Sequence, residues 1–176
     1  MRASRFLLSA LVAAIASSCT VPAAGPSPSP APSPASGGAK DRFGATEARI
    51  FGLINAERRH QGLPALVYNE QLDQMAVIQA RNMAHFQKMS HVLPESSLPT
   101  LGDRARYVAY PFGRLAENVA LGYPNAESVV DGWMTSKGHR ANILNSDVVE
   151  TGIAIARSSA GGLYYCQVFG RRLRSL

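Results

Sequence analysis

The first apolar stripe in the chain falls on Ile50, Leu53 and Ile54, with Glu57, Arg58 and Arg59 polar around it, which is helical spacing. Thr46 stands where a side-chain N-cap belongs, with Glu47 in the first turn, where the helix dipole favours an acid. Gly62 ends the helix, and Leu63-Pro64 bars its continuation. A second helix starts from the cap Asn69 and carries Leu72, Met75, Ala76, Gln79, Ala80 and Met83 on one side, recurring every three or four residues. Gln79 is the polar intruder in that stripe, so it must find a buried partner or face a cleft.

From His91 to Arg114 the periodicity fails, and Pro94, Pro99, Gly102, Pro111 and Gly113 mark a long loop of the kind that usually carries function. Leu115 to Leu121 reads as a short strand or extended segment. Asn125 caps a third helix bearing Val129, Val130, Trp133 and Met134, and a short helical turn covers His139 to Leu144. Thr151 to Arg157 alternates, with Ile153 and Ile155 on one face; Ser158 to Gly162 is a turn, and Leu163 to Phe169 returns as the second strand of a hairpin. Helices first and a terminal antiparallel hairpin predict an α+β layered sandwich rather than a βαβ repeat.

Upstream of this region the composition changes. Arg2 and Arg5 precede the short apolar run Phe6 to Ala16, the layout of a secretory signal too short to span a bilayer. Two endings compete: a small-x-small cleavage site at Ala14-Ile15-Ala16, which releases a secreted protein, and Ala16-Ser17-Ser18-Cys19, which resembles a lipobox that would make Cys19 a lipid anchor. Thr20 to Ala39 is almost wholly Pro, Ser, Ala and Gly, an extended tether with nothing to bury. The expected organisation is a signal peptide over 1–18, a tether over 19–43 and one domain over 44–172.

Composition and charge then change the picture in two ways. The formal charge of +6 invites a nucleic-acid partner, but losing Arg2 and Arg5 takes it to +4, and Arg171, Arg172 and Arg174 crowd the last six residues. No contiguous basic face remains for phosphate-backbone binding. Two cysteines exclude a disulfide framework and a four-thiolate zinc site.

Candidate chemistry centres on His91 at the start of the long loop, His139 in Ser136-Lys-Gly-His139-Arg-Ala-Asn, and Glu117, a carboxylate in the apolar run Ala116-Glu117-Asn118-Val119-Ala120. His60, at the polar end of the first helix, reads as solvated, and His85, near the end of the second helix and off its stripe, carries little weight. A buried carboxylate needs partners, and two imidazoles are suitable ones. Two neutral histidines and a carboxylate also make the three-ligand, open-position set of a catalytic zinc site. Spacings of 26 and 22 residues are a weak signal by themselves and favour ordinary structural roles. Ser136, three residues before His139, admits two readings: cap of the short helix, or nucleophile in a Ser-His-Glu constellation.

Five blocks carry a resemblance. Leu53-Ile-Asn-Ala-Glu-Arg58 through Gly62-Leu-Pro-Ala-Leu66, then Ser90-His91, then Glu117-Asn118-Val119-Ala120, then Trp133-Met134-x-Ser136-x-x-His139-Arg140-x-Asn142-Ile143-Leu144, then Tyr165-Cys166-Gln167-Val168-Phe169-Gly170 resemble a bacterial CAP domain. This is the superfamily of cysteine-rich secretory, antigen-five and pathogenesis-related proteins, and the likeness runs from about Ala45 to Gly170. It implies a three-layer α-β-α sandwich with a central, mostly antiparallel sheet, and a cleft lined by two histidines and two acidic residues that in some members binds a divalent metal. His91 matches the first histidine, Glu117 the first acid, and His139 the histidine of bacterial members. Ser136 stands at the second acidic position and Tyr164 at the second histidine of animal and plant members. Cys166 takes a position where the family commonly has Thr.

The functional expectation is an exported cell-envelope protein whose cleft (His91, Glu117, His139, Ser136, Tyr164) binds a lipid, an envelope component or a divalent metal such as zinc. The alternatives are a metal-assisted hydrolase, or a non-catalytic scaffold or adhesion module. The expected partners are a membrane, through a lipidated Cys19, and an envelope ligand, with no nucleic acid. If the host has two membranes, Thr20 after the cysteine favours the outer one.

Overall fold

A computed structural model describes residues 44–173; Cys19 and the segments 1–18 and 19–43 lie outside the described residues. The elements are α1 (Ala45–His60), β1 (Val67–Tyr68), α2 (Glu70–Phe86), α3 (Leu101–Tyr107), β2 (Phe112–Leu121), α4 (Ala126–Thr135), α5 (Lys137–Ile143), β3 (Glu150–Arg157) and β4 (Leu163–Arg172). The strands form one sheet in the order β1-β3-β4-β2; β1 runs parallel to β3, and the other pairs are antiparallel.

The apolar stripe of α2 is fully expressed. Leu72, Met75, Ala76, Ala80 and Met83 are buried against Val119, Ala154, Tyr164, Cys166 and Val168 on one face of the sheet, with Ala105 of α3 and Leu93 closing the layer. On the opposite face, Ile50 and Ile54 of α1 meet Val129, Val130 and Trp133 of α4, Ile143 of α5, and Tyr165 and Phe169 of β4. Alternate residues of β4 feed the two cores, the period-two rule of a strand buried on both sides. The result is the expected α-β-α sandwich with a mixed, mostly antiparallel sheet. Among the described residues no helix is long and apolar enough to cross a membrane.

Local signals mostly hold. Asn69 accepts from the Gln71 and Leu72 N–H groups at 2.9 and 3.1 Å, and Asn125 accepts from Ser128 N–H at 2.9 Å. The expected Thr46 cap is corrected: α1 begins at Ala45, with Gly44 at the cap position and no side-chain cap bond. The expected loop from His91 to Arg114 is also corrected. It contains α3, closed by a capping box in which Asp103 N–H donates to the Thr100 hydroxyl and Thr100 N–H donates to the Asp103 carboxylate.

Two approaches fix the layers. Gly152 of β3 lies directly under the first turn of α2, where a Cβ would collide with the backbone of Leu72 and Asp73. Beside it the Asp73 carboxylate accepts from Ile153 N–H at 3.3 Å. Burial, with smaller contributions from the Glu47 and Glu70 charges, pushes the Asp73 carboxyl up to about 6. On the other side, Arg58 of α1 is buried, and its guanidinium donates to the carbonyls of Pro64, Ile143 and Asn145 at 2.7–2.9 Å. It thereby ties the end of α1 to the end of α5.

Candidate functional site

β2 is an edge strand of the sheet, and such strands expose a row of unpaired backbone groups. Here the helical layer satisfies that row. Trp133 Nε1 donates to the Val119 carbonyl at 3.3 Å, and Asn142 Nδ2 donates to the Glu117 carbonyl at 3.2 Å. Asn142 also donates to Asn118 Oδ1, while Asn118 Nδ2 donates to the His139 carbonyl at 3.2 Å. These bonds lock α5, and with it His139, against the strand that carries Glu117.

Glu117 projects toward the α2 layer, and its side chain is only 3% exposed. Two groups hold its oxygens: His91 Nδ1 lies 2.9 Å from Oε1, and Arg104 Nη2 donates to Oε2 at 2.6 Å. The buried Cys166 thiol is 3.5 Å from Oε2. Arg104, from α3, is fully buried and donates through Nη1 to Gln79 Oε1 at 2.6 Å. Gln79 in turn donates to the Ser90 carbonyl at 2.6 Å, one residue before His91. The polar intruder of the α2 stripe therefore has the buried partner its position demanded. One chain of bonds runs from the loop backbone through Gln79, Arg104 and Glu117 to the His91 imidazole.

His91 itself is half exposed, at 55% for the side chain. Spending Nδ1 on the carboxylate leaves Nε2 as the ring's free nitrogen. The hydrogen bond to Glu117 holds the imidazole pKa above its ordinary value, against burial and the Arg104 charge. His139 moves the other way: burial, then the charge on His91, lowers it. That coupling makes the two rings neighbours in electrostatic range, one favouring the cation and the other the neutral form. His139 Nδ1 is buried without a hydrogen-bond partner among the described residues. Burial, followed by the Glu117 charge, pushes the Cys166 thiol well up, so it is no thiolate nucleophile.

The remaining candidates play smaller parts. Ser136 occupies the cap position of α5, yet its side chain makes no cap bond. Among the described residues no hydrogen bond joins it to His139, so the Ser-His-Glu constellation is not assembled. Tyr164 is buried in the core beneath α2, on the same face of β4 as Cys166. Arg104 is the residue that sequence reasoning missed. Its signal was the Thr100-x-x-Asp103 capping pattern, which places a helix inside the assumed loop.

The donor set also tests the metal expectation. Among the described residues no group of three or more His, Cys, Asp or Glu side chains is disposed to hold a metal ion. One oxygen of Glu117 already meets His91 Nδ1, and the other meets the Arg104 guanidinium. His91, Glu117 and His139, the three residues of the zinc reading, do not form such a group.

Comparison with known proteins gives this arrangement relatives. The model of the cysteine-rich secretory protein family, CAP, matches residues 51–169. The uncharacterized protein YkwD of Bacillus subtilis is 32% identical over 127 residues, covering 72% of this chain and 48% of its own length. The uncharacterized membrane protein YlbC of the same organism is 31% identical over 127 residues, covering 72% and 35%. The crystal structure of an extracellular protein containing an SCP domain from Bacillus anthracis superposes with a TM-score of 0.66 at 30% identity, covering 72% of this chain and 40% of that one. The chain thus spans half or less of the length of these relatives. The family match across two thirds of the chain, the sandwich and the ordered blocks converge: this chain belongs to the CAP, or cysteine-rich secretory protein, family.

Proposed function

We propose that this is an exported, cell-envelope CAP-domain protein whose cleft, between His91 and His139 above Glu117, binds a ligand from that envelope, with Cys19 as a lipid anchor. The observation that carries the ligand reading is the way His91 is held. A fully buried guanidinium and a nearly buried carboxylate are costly to fold, and both serve to orient one half-exposed imidazole. A purely structural network has no need to leave its terminal member facing solvent. The export reading rests on the basic-then-apolar opening, and on relatives described as an extracellular protein and a membrane protein. The nearly neutral domain supports the absence of a nucleic-acid partner.

The test follows the two histidines by NMR while soluble muropeptide fragments or phosphatidylglycerol vesicles are added to the mature chain. Saturable shifts at His91 and His139, absent at His60 and His85 and lost in His91→Ala, are expected from one of the two probes. Equal shifts at all four histidines would sink the reading. For the anchor, mass spectrometry of the membrane fraction should find a lipidated Cys19, and a soluble Cys19→Ala variant; unmodified wild type in the medium refutes it.

One observation favours a second reading. An imidazole with Nδ1 held by a buried carboxylate is the arrangement of a general base, here ready to activate water without a metal. Release of product from muropeptides or model esters, abolished by His91→Gln, would establish hydrolysis over binding.

A further inference from the structure

We infer that Arg104 is the resident cation of this cleft: its guanidinium takes the charge role of a divalent metal at Glu117 and makes the site metal-independent. This goes beyond the ligand reading, because it concerns which charge completes the carboxylate whatever the cleft binds.

A carboxylate only 3% exposed must be neutralised by a proton, a metal or a fixed cation. Arg104 is fully buried and meets Glu117 Oε2 at 2.6 Å, so the neutralising charge is part of the chain. It is also fixed in place: Nη1 is held by Gln79, which is anchored to the Ser90 carbonyl. The capping box at Thr100 and Asp103 sets the start of the helix that delivers it. A metal entering between His91 and Glu117 would sit against this cation at close range, in a medium where like charges repel strongly. Arg104 is thus a positioning and specificity-determining residue. It holds the Glu117 carboxylate opposite His91 and denies it to metals.

The experiment is calorimetric titration of the mature chain with zinc chloride, in wild type, Arg104→Lys, Arg104→Met and Arg104→Gln. Wild type and Arg104→Lys, which retain the charge, are expected to give no saturable heat that depends on Glu117. Arg104→Met or Arg104→Gln is expected to bind one zinc at least tenfold more tightly than wild type, and to lose that binding when Glu117→Gln is added. Wild-type zinc binding that Glu117→Gln abolishes would overturn the inference. So would a folded Arg104→Met with unchanged zinc affinity. Should the single variants fold too weakly for titration, thermal melts decide. With the counter-charge role, Arg104→Met/Glu117→Gln recovers most of the melting temperature lost in Arg104→Met; additive losses from the two changes refute it.

Discussion

Replacing Asp73 by Asn should make the protein more stable, not less, with the gain fully developed only above about pH 6. The carboxyl lies in the first turn of α2 against β3, and burial there raises its pKa from 3.8 to about 6. A raised acid pKa means that the folded state prefers the proton. The group's favourable contribution is complete below pH 3.8 and is lost as pH rises through about 6. A shift of about two units corresponds to about 3 kcal/mol. Part of the carboxylate still meets solvent, which screens its charge and brings the penalty nearer to about 1.5 kcal/mol. Asn keeps an oxygen for Ile153 N–H, and the Tyr68 hydroxyl can accept from the new amide as well as donate to it. The substitution gives up the favourable interaction of an acid with the helix N-terminus, about 0.5 kcal/mol. The balance is a gain of about 1 kcal/mol at pH 8, or about 3–5 °C in Tm for a domain of this size. Thermal melts at pH 8 and pH 4.5 measure it, and the gain should vanish at the lower pH. A variant less stable than wild type at pH 8, or a difference that does not change with pH, would refute the reasoning.

Three further outcomes follow from the same geometry. Arg58→Met leaves the carbonyls of Pro64, Ile143 and Asn145 without their donor and should cost about 3 kcal/mol or more in urea unfolding; a loss below about 1 kcal/mol would mean that water replaces the guanidinium at no cost. Gly152→Ala forces a methyl into the backbone of α2 and should destabilise by about 3 kcal/mol, with slower export or recovery of soluble protein as a secondary readout. Glu117→Gln replaces the carboxylate that raises the His91 pKa with a neutral amide, so NMR titration should find it below the wild-type value. Because that pairing contributes below the ordinary histidine pKa and fades as pH rises through the raised one, the stability gap between wild type and Glu117→Gln should narrow above neutral pH. A gap that widens instead contradicts the pairing.

What could be read from sequence depended on whether the burial of a residue left a pattern. The α2 stripe, the Asn69 and Asn125 caps and the terminal hairpin were legible because each rests on periodicity or cap chemistry that repeats locally. His91 and Glu117 were legible as candidates, and their meeting at 2.9 Å needed the fold. Helix α3 was hidden because its buried face is carried by Arg104 and Ala105, so a charge stands where a hydrophobe would have signalled. β1 was invisible for a different reason: two residues, paired in parallel with a strand far along the chain, carry no alternation. Three ligand types in plausible order said nothing about the arginine that meets Glu117, because Arg104 lay in a stretch that read as loop.

The strand order has a consequence in time. Val67 finds its partner at Glu150, while Phe112 and Leu121 find theirs at Arg172 and Tyr164. Every pairing in the sheet therefore runs through the hairpin of β3 and β4, the last elements of the fold to be synthesised. Until residues 150–172 emerge, β1 and β2 have no ladder to join, and α1 and α2 have no sheet to cover. Such distant contacts also make closure slow once the chain is complete. If the chain is exported as proposed, late and slow closure keeps the polypeptide threadable during that passage. It also makes the domain intolerant of C-terminal truncation, because the final two strands are the hub on which all the others register.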